Sequence, residues 1–481
     1  MPNDSRPPAA RRFAGQVVGR RSLLKASGAA ALAGAAGATV LGGAGKAYAT
    51  DVKVDVVVIG AGYAGVTAAR ELSAKGYSVA IVEARDRVGG RIWTDTFAGQ
   101  RVELGGGWVS PDHKLVMAEF QRYGLANVAD VVPTQSVMPG ANGFQALTPE
   151  AAGAKLSELF GKFFAGSQEY FPRPEDPLFK RELVAKVDPL SFTDRIAQLK
   201  LSDVDASWLH GYFAPYTGGD NASRSMTSMA QWWALGGYTY EGWERQTAFK
   251  PTAGMTALLQ KMLEASPKAK LYLKSPVTSV TSTATGVEVR AENGRPFIGR
   301  AAVVAVPVSM WKKIRFDPGL PAVQATAASE GVAVGLATKL WIHLSGNVDA
   351  VYGMGTASSP MPLMIPQQAM PGGGRMMVGF AGPSLNVSDK TAVQNAVRQF
   401  IPGATVVNHR AQEWGRDPWA QGGWGLRRPG QLLKQLPGIQ QPSGRVTFAG
   451  GDIASGWNGA FIEGAVETGL RAAQQVTTML T

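Results

Sequence analysis

The apolar positions of the chain fall into distinct rhythms, and each rhythm predicts a different element. Val57-Val58-Ile59 is an unbroken apolar run, the segment 66–75 has helical spacing, and Ile81-Val82 begins a second apolar run that ends on Glu83. Strand, helix and strand in that order make one βαβ unit, so residues 53 to 110 read as that unit with a glycine-rich extension. From 111 to 250 the pattern turns to helical periods with aromatic clusters, among them Trp232-Trp233, Tyr238 and Tyr240, and the βαβ rhythm stops. Strand-like runs return at 270–280, 286–290 and 301–306, the last closed by Pro307. Over 336–344, Leu336, Thr338, Leu340 and Ile342 alternate with Ala337, Lys339, Trp341 and His343, which predicts a strand that is exposed or lines a cavity. Pro/Gly/Met-rich loops follow at 354–374, and the chain closes with Val446-Thr447-Phe448, a glycine turn into Asp452, and a helix over 462–479. The fold class is therefore α/β, with a Rossmann-like nucleotide domain in three separated segments (50–110, 250–315 and 426–481). A second, α+β domain is inserted at 111–249 and 316–425.

The turn inside the first βαβ unit carries chemistry. Gly60-Ala61-Gly62-Tyr63-Ala64-Gly65 is a G-x-G-x-x-G turn between strand and helix. Gly60 permits the tight turn, Gly62 lets the backbone approach a pyrophosphate, and Gly65 lets helix and strand pack closely. The helix start then offers free N–H groups and a positive dipole end to phosphates. Glu83 stands 23 residues after Gly60, where an acid can accept hydrogen bonds from a ribose hydroxyl. In a chain with 59 glycines the motif alone would say little, and it is the surrounding strand, helix and acid that make it a dinucleotide site. The fingerprint serves FAD and NAD alike.

Composition narrows the picture. Gly19-Arg20-Arg21-Ser22-Leu23-Leu24-Lys25, a weakly apolar Ala/Gly run and Ala47-Tyr48-Ala49 read as a twin-arginine export signal over 1–49. Gly and Ala give that run too little transfer free energy for a stable membrane span. This predicts a periplasmic or secreted protein, exported already folded. With seven Lys/Arg and one Asp, the segment carries half of the formal +12. The remainder is mildly basic, without the basic runs that nucleic acid would require. Zero cysteines exclude disulfides, thiolate metal sites and a cysteinyl link to a flavin, and the four histidines lack metal-ligand spacing.

Further motifs follow in order. Glu83-Ala84-Arg85-Asp86-Arg87-Val88-Gly89-Gly90-Arg91, Glu103-Leu104-Gly105-Gly106-Gly107-Trp108, Pro251-Thr252-Ala253-Gly254-Met255 and Ala449-Gly450-Gly451-Asp452 together resemble the flavin-containing amine oxidase family. The resemblance spans essentially the whole chain after the signal. Within the family the chain is most similar to bacterial nicotine oxidoreductases, through Phe171-Pro172-Arg173-Pro174, Gly236-Gly237-Tyr238 and Trp414 to Asp417-Pro418.

The resemblance implies a non-covalent FAD held by Gly60, Gly62, Ala64, Gly65, Glu83, Ala84, Arg85, Gly90 and Arg91. Gly106, Gly107, Trp108, Val277, Trp414, Gly451, Asp452, Ala460 and Phe461 complete that set. It implies three catalytic residues: Lys339 holding a water near flavin N5, and Trp424 and Phe461 as facing aromatic walls, with Trp457 a neighbouring candidate for Phe461. Guanidinium groups at Arg85 and Arg91 suit a diphosphate, because each can donate two charge-assisted hydrogen bonds. The pairing of Trp424 with Phe461 departs from the two tyrosines of monoamine oxidases and leaves the substrate open. The expected reaction is oxidation of a small amine by hydride transfer, with dioxygen or an electron-transfer protein as oxidant, and a homodimer is compatible with it. L-amino-acid oxidase and polyamine oxidase are the related alternatives. Trp93, where amino-acid oxidases carry a carboxylate-binding arginine, counts against the first. A non-catalytic flavoprotein is the alternative of another class.

Overall fold

The computed structural model describes residues 50–481, so the expected export signal lies outside the described residues. Five parallel strands form the first sheet, in the order Ala269–Tyr272, Val79–Val82, Val56–Ile59, Ala301–Val304, Val446–Phe448. Their sequences are apolar throughout because both faces are covered, as a parallel sheet requires. Val56, Val58, Ile81 and Val303 face the helices Tyr63–Ala74, Met255–Glu264 and Ile462–Leu480. Val57, Ile59, Ala80 and Val304 face the other way, into an apolar core shared with Val280, Val289 and Phe297 of a second, five-stranded sheet.

A seven-stranded sheet builds the rest, in the order Thr405–Glu413, Thr338–Ser345, Arg375–Phe380, Leu363–Ala369, Val351–Met354, Gln135–Gly140, Gly143–Leu147. Helices between Pro149–Phe163 and Tyr240–Arg245 pack through an aromatic core. There Phe160, Phe164, Trp233 and Trp243 meet at ring separations of 5.0–6.2 Å. The helix Lys114–Arg122, in the stretch read as inserted, joins the nucleotide-side core through Val116 and Phe120.

Three expectations shift. The run 270–280 is two strands in two sheets, Ala269–Tyr272 and Val277–Ser282. The chain turns between them at Lys274, whose φ is 53°, and at Pro276. The hairpin Gln135–Gly140/Gly143–Leu147 stands in a region read as helical. The alternating strand starts at Thr338 rather than Leu336, which remains 55% exposed; of its two expected settings it takes the cavity-lining one, through Lys339, with Leu340, Ile342 and Leu344 in one core and Trp341 in another.

Gly65 shows how tightly the nucleotide turn is closed. A methyl there would stand 2.0 Å from the Gly60 carbonyl oxygen and 3.2 Å from Ala305 Cβ. Because the first obstacle is backbone, Gly65→Ala should force helix and strand apart, an overpacking cost of about 1–3 kcal/mol. The expected outcome is a lower thermal unfolding midpoint with a normal far-ultraviolet spectrum at low temperature. An unchanged midpoint would refute the close approach.

Candidate active site

One cavity of about 1080 Å³ runs between the nucleotide sheet and the seven-stranded sheet. At one end the helix Tyr63–Ala74 points its N-terminus into it, with no side-chain cap at Gly62. Gly62 and Gly90 face each other there. A Cβ on Gly90 would meet only the Gly62 Cα, at 3.8 Å, and one on Gly62 only the Gly89 oxygen, at 3.8 Å. Side chains at either place would therefore fill cavity space rather than clash with the fold, which is the form of a phosphate cradle.

Glu83 stands at the end of its strand beside this cradle. Its carboxylate accepts hydrogen bonds from the Ala61 N–H at 2.8 Å and the Arg85 N–H at 2.9 Å, and so ties the glycine turn to the second strand. A carboxylate has further lone pairs for ribose hydroxyls. Ala84, Arg85, Arg91 and Val277 line the same end, and Ala64, Gly106, Gly107, Trp108, Trp414, Gly451, Ala460 and Phe461 continue the lining. Arg85 pairs with Asp417 at 2.5 Å, and Arg91 with Asp452 at 2.7 Å. These residues fit a flavin dinucleotide: an open cradle at a helix start, an acid for the ribose, and two guanidinium groups held by acids at the rim.

Three of the expected residues sit elsewhere. Gly65 and Gly60 meet behind the turn, and Gly65 does not reach the cavity. Asp452 also stands behind the lining, its carboxylate taken up by Arg91 and by the Val308 N–H at 3.3 Å, so it acts on the cavity through Arg91. Trp93 faces away, with Arg87 4.5 Å and Arg410 5.5 Å from its ring. The argument against amino-acid substrates from position 93 therefore falls, because that side chain does not line the cavity.

The middle of the cavity is framed by the loop Glu103 to Gly107. Three of its carbonyls in succession, from the end of the strand Gln100–Glu103 onward, are capped by side chains from the seven-stranded sheet and the turn after it. Trp341 Nε1 donates to the Glu103 oxygen at 2.9 Å, Trp414 Nε1 to the Leu104 oxygen at 3.0 Å, and Lys339 Nζ to the Gly105 oxygen at 2.9 Å. Lys339 is 5% exposed, its Nζ lies 4.3 Å from the Trp108 ring, and it reaches the cavity from the central strand Thr338–Ser345. Burial lowers its pKa to about 7, against the opposing pull of nearby Glu103. Glu103 is itself raised by burial, though it accepts from the Met255 N–H at 2.8 Å and the Thr94 hydroxyl at 2.8 Å. An amine poised near neutrality can accept a hydrogen bond from a water or a proton from a substrate, which an exposed lysine at this pH cannot.

Aromatic rings surround the remaining space. Trp424 is fixed by its Nε1–H to the Tyr216 carbonyl at 2.7 Å and by an edge contact with Phe380 at 6.1 Å. Phe461, at the N-cap of the last helix, is held edge-on by His113, Trp232 and Trp457 at 4.8–5.1 Å. Both Trp424 and Phe461 line the cavity and Trp457 does not. His113 is a buried structural residue, its pKa lowered to about 4 by burial. The sequence reading missed Tyr216, Glu244, Tyr352 and Phe380 as lining residues, and named Trp232 only as part of an aromatic pair. A helical Trp232-Trp233 pair must point its rings in different directions, the one signal available. Among the described residues no group of three or more His, Cys, Asp and Glu could hold a metal.

Comparisons with known proteins agree with this geometry. The profile of the family described as flavin containing amine oxidoreductase matches residues 63–477. The chain is 32% identical over 432 residues to a nicotine dehydrogenase of Pseudomonas putida (strain DSM 28022 / S16), covering 89% of each chain. It is 31% identical over 444 residues to a pseudooxynicotine dehydrogenase of a Pseudomonas species, covering 90% of this chain and 88% of that one. Its fold matches the solved structure of cyclohexylamine oxidase from Brevibacterium oxydans IH-35A with a TM-score of 0.73 at 20% identity, over 89% of this chain and 99% of the other.

The lysine makes a pH prediction. Between about pH 7 and its ordinary 10.5, Lys339 is neutral in the fold and protonated when unfolded. The unfolded state then binds more protons, so this residue makes stability rise with pH across that window. Lys339→Met should remove the rise: denaturation of both proteins at pH 7 and pH 9.5 should show the wild type gaining on the variant at the higher pH. A constant difference would refute the buried neutral amine.

Proposed function

The chain belongs to the family of flavin-containing amine oxidoreductases. From that premise we propose that it oxidises an amine on an apolar or aromatic body by removing hydride from the α-carbon, giving an imine that hydrolyses to a carbonyl compound. The flavin, when bound, supplies the two-electron acceptor at N5. Trp424 and Phe461 exclude water and hold the amine so that its α-carbon faces the flavin site. Lys339 keeps its amine at the Gly105 carbonyl, beside Trp108, and orders a water at the reacting end. This buried Lys339, opening on the same cavity as both aromatic walls, is the observation that carries the reading. Nicotine and pseudooxynicotine, in the names of the two relatives, are both amines on an aromatic ring, in keeping with such walls.

An amino-acid substrate fits poorly on grounds other than position 93. The cavity-lining arginines, Arg85 and Arg91, stand at the nucleotide end and are paired with Asp417 and Asp452. A carboxylate between the aromatic walls would lack a partner, at a cost of several kcal/mol. The flavin is held without a covalent bond in this reading, and its oxidant is dioxygen or an electron-transfer protein.

Anaerobic bleaching of the flavin tests the reaction. Aryl-alkyl amines should bleach it, and about a thousandfold faster than the matching amino acids, at 1.4 kcal/mol per factor of ten. Bleaching by no amine in the panel, or faster bleaching by an amino acid, would overturn the reading.

The same proposal includes twin-arginine export, from Arg20-Arg21 and Ala47-Tyr48-Ala49. Changing both arginines to lysine should leave folded, yellow protein in the cytoplasm, measured by fractionation and flavin absorbance. Efficient export of the double variant would exclude that route.

A further inference from the structure

Asp130 lines the cavity, yet its carboxylate is taken up by the protein itself. Oδ2 accepts the Trp108 Nε1–H at 2.5 Å. Oδ1 receives Lys250 Nζ at 2.5 Å and the Val131 N–H at 2.7 Å, with Gln367 Nε2 at 3.5 Å from the same oxygen. A carboxylate has about four acceptor sites, so Asp130 has little left to offer a ligand. Its partners are fixed in turn. Lys250 also donates to the side-chain oxygen of Gln367, a fully buried residue of the strand Leu363–Ala369. Gln367 Nε2 is held by the Pro366 carbonyl at 2.7 Å, and the Asp130 N–H by the Ala248 carbonyl at 2.8 Å.

What this carboxylate grips is the ring that covers Lys339. Lys339 Nζ lies 4.3 Å from the centre of the Trp108 ring and donates to the Gly105 carbonyl at 2.9 Å, so one loop holds the amine by a ring and a carbonyl together. An indole has a single N–H donor, and Asp130 takes it. The bond fixes the plane of a ring that is only half-buried and faces the cavity. An anionic acceptor on the indole N–H also enriches the ring in electrons, and an electron-rich face holds an ammonium group more firmly. The charges around Lys339 bear this out. Burial lowers its pKa to about 7, Glu103 pulls it up, Lys250 pushes it further down, and Asp130 pulls it up.

Resting on the amine-oxidation reading, we propose that Asp130 is a positioning residue for the reacting end of the cavity. Its carboxylate holds the Trp108 ring against Lys339 and so sets both the place and the charge of that amine. Lys250 is the counterweight: it secures the carboxylate and opposes its effect on Lys339. Asp130 touches neither flavin nor substrate in this arrangement and acts through the ring.

The test follows the rate of anaerobic flavin reduction in the holoenzyme by 3-phenylpropylamine from pH 6 to pH 10. Asp130→Asn keeps an acceptor for the indole and removes the charge, so Lys339 should lose its proton more readily. The acid limb of the profile should then move down by about half a pH unit, which is about threefold in rate on that limb relative to the plateau. Lys250→Met removes the opposing cation and should move the limb up. In a Lys339→Met background neither change should move it, which separates action through the lysine from a general disturbance. Coincident profiles for the wild type and Asp130→Asn overturn the proposal, as does a shift that persists without Lys339. Should Asp130→Asn fail to fold, Lys250→Met decides, and a limb that stays in place or moves down overturns the proposal. If no amine bleaches the flavin, the oxidation reading fails, while denaturation of the holoenzyme still reports on Asp130. The rise of stability with pH that Lys339 confers should then begin at a lower pH in Asp130→Asn, because the amine is neutral in the fold over a wider window. An unchanged onset overturns the proposal there too.

Discussion

Three consecutive carbonyl groups hold the two halves of this molecule in register. Glu103 ends the strand Gln100–Glu103, Leu104 and Gly105 follow it, and a buried carbonyl without a donor costs about 1–3 kcal/mol. The seven-stranded sheet and the turn after it supply the donors from Trp341, Trp414 and Lys339. That arrangement does two things at once. It seals the glycine loop against the opposite sheet, and it fixes the one amine that reaches the middle of the cavity. Stability and chemistry share these hydrogen bonds, so Lys339 cannot be placed without the loop, nor the loop without Lys339.

Charge along the cavity is divided by position. The nucleotide end carries Glu83, Arg85 and Arg91, each held by a backbone N–H or an opposite charge, which suits a ligand rich in phosphate. The middle holds Lys339 and, behind it, Glu103, both driven toward their neutral forms by burial. Glu244 also lines the cavity, as do Tyr216 and Tyr352. A field with fixed charge at the nucleotide end and little in the middle suits a neutral ligand there.

The aromatic lining is rigid for a stated reason. Phe461 is gripped edge-on by three rings, and Trp424 is tied by its indole N–H to the Tyr216 backbone. Edge-to-face packing fixes ring planes as well as positions, so the walls keep their orientation whether or not an amine lies between them. Orientation set in advance lowers the entropy cost of holding a ligand between them.

The sequence by itself determined the nucleotide half. Unbroken apolar strands, the glycines at 60, 62 and 65, and Glu83 at a strand end are local patterns, and local patterns are legible because each is enforced by neighbours in the chain. Lys339, Trp424 and Phe461 were legible through family likeness, and the structure brings all three onto one cavity. Tertiary structure alone decided the rest. Trp93 and Trp108 sit in similar local sequence, yet one faces Arg87 and the other the cavity. The hairpin at 135–147 joins its sheet by pairing with the strand Val351–Met354, more than 200 residues away, which no local rhythm encodes. Glu244 lies between Trp243 and Arg245 in what reads as an ordinary solvated helix, and it lines the cavity because the fold brings that helix to the same wall as Tyr216 and Tyr352, from distant segments. Sequence records which residues can carry chemistry, and burial, which depends on the whole fold, selects which of them do.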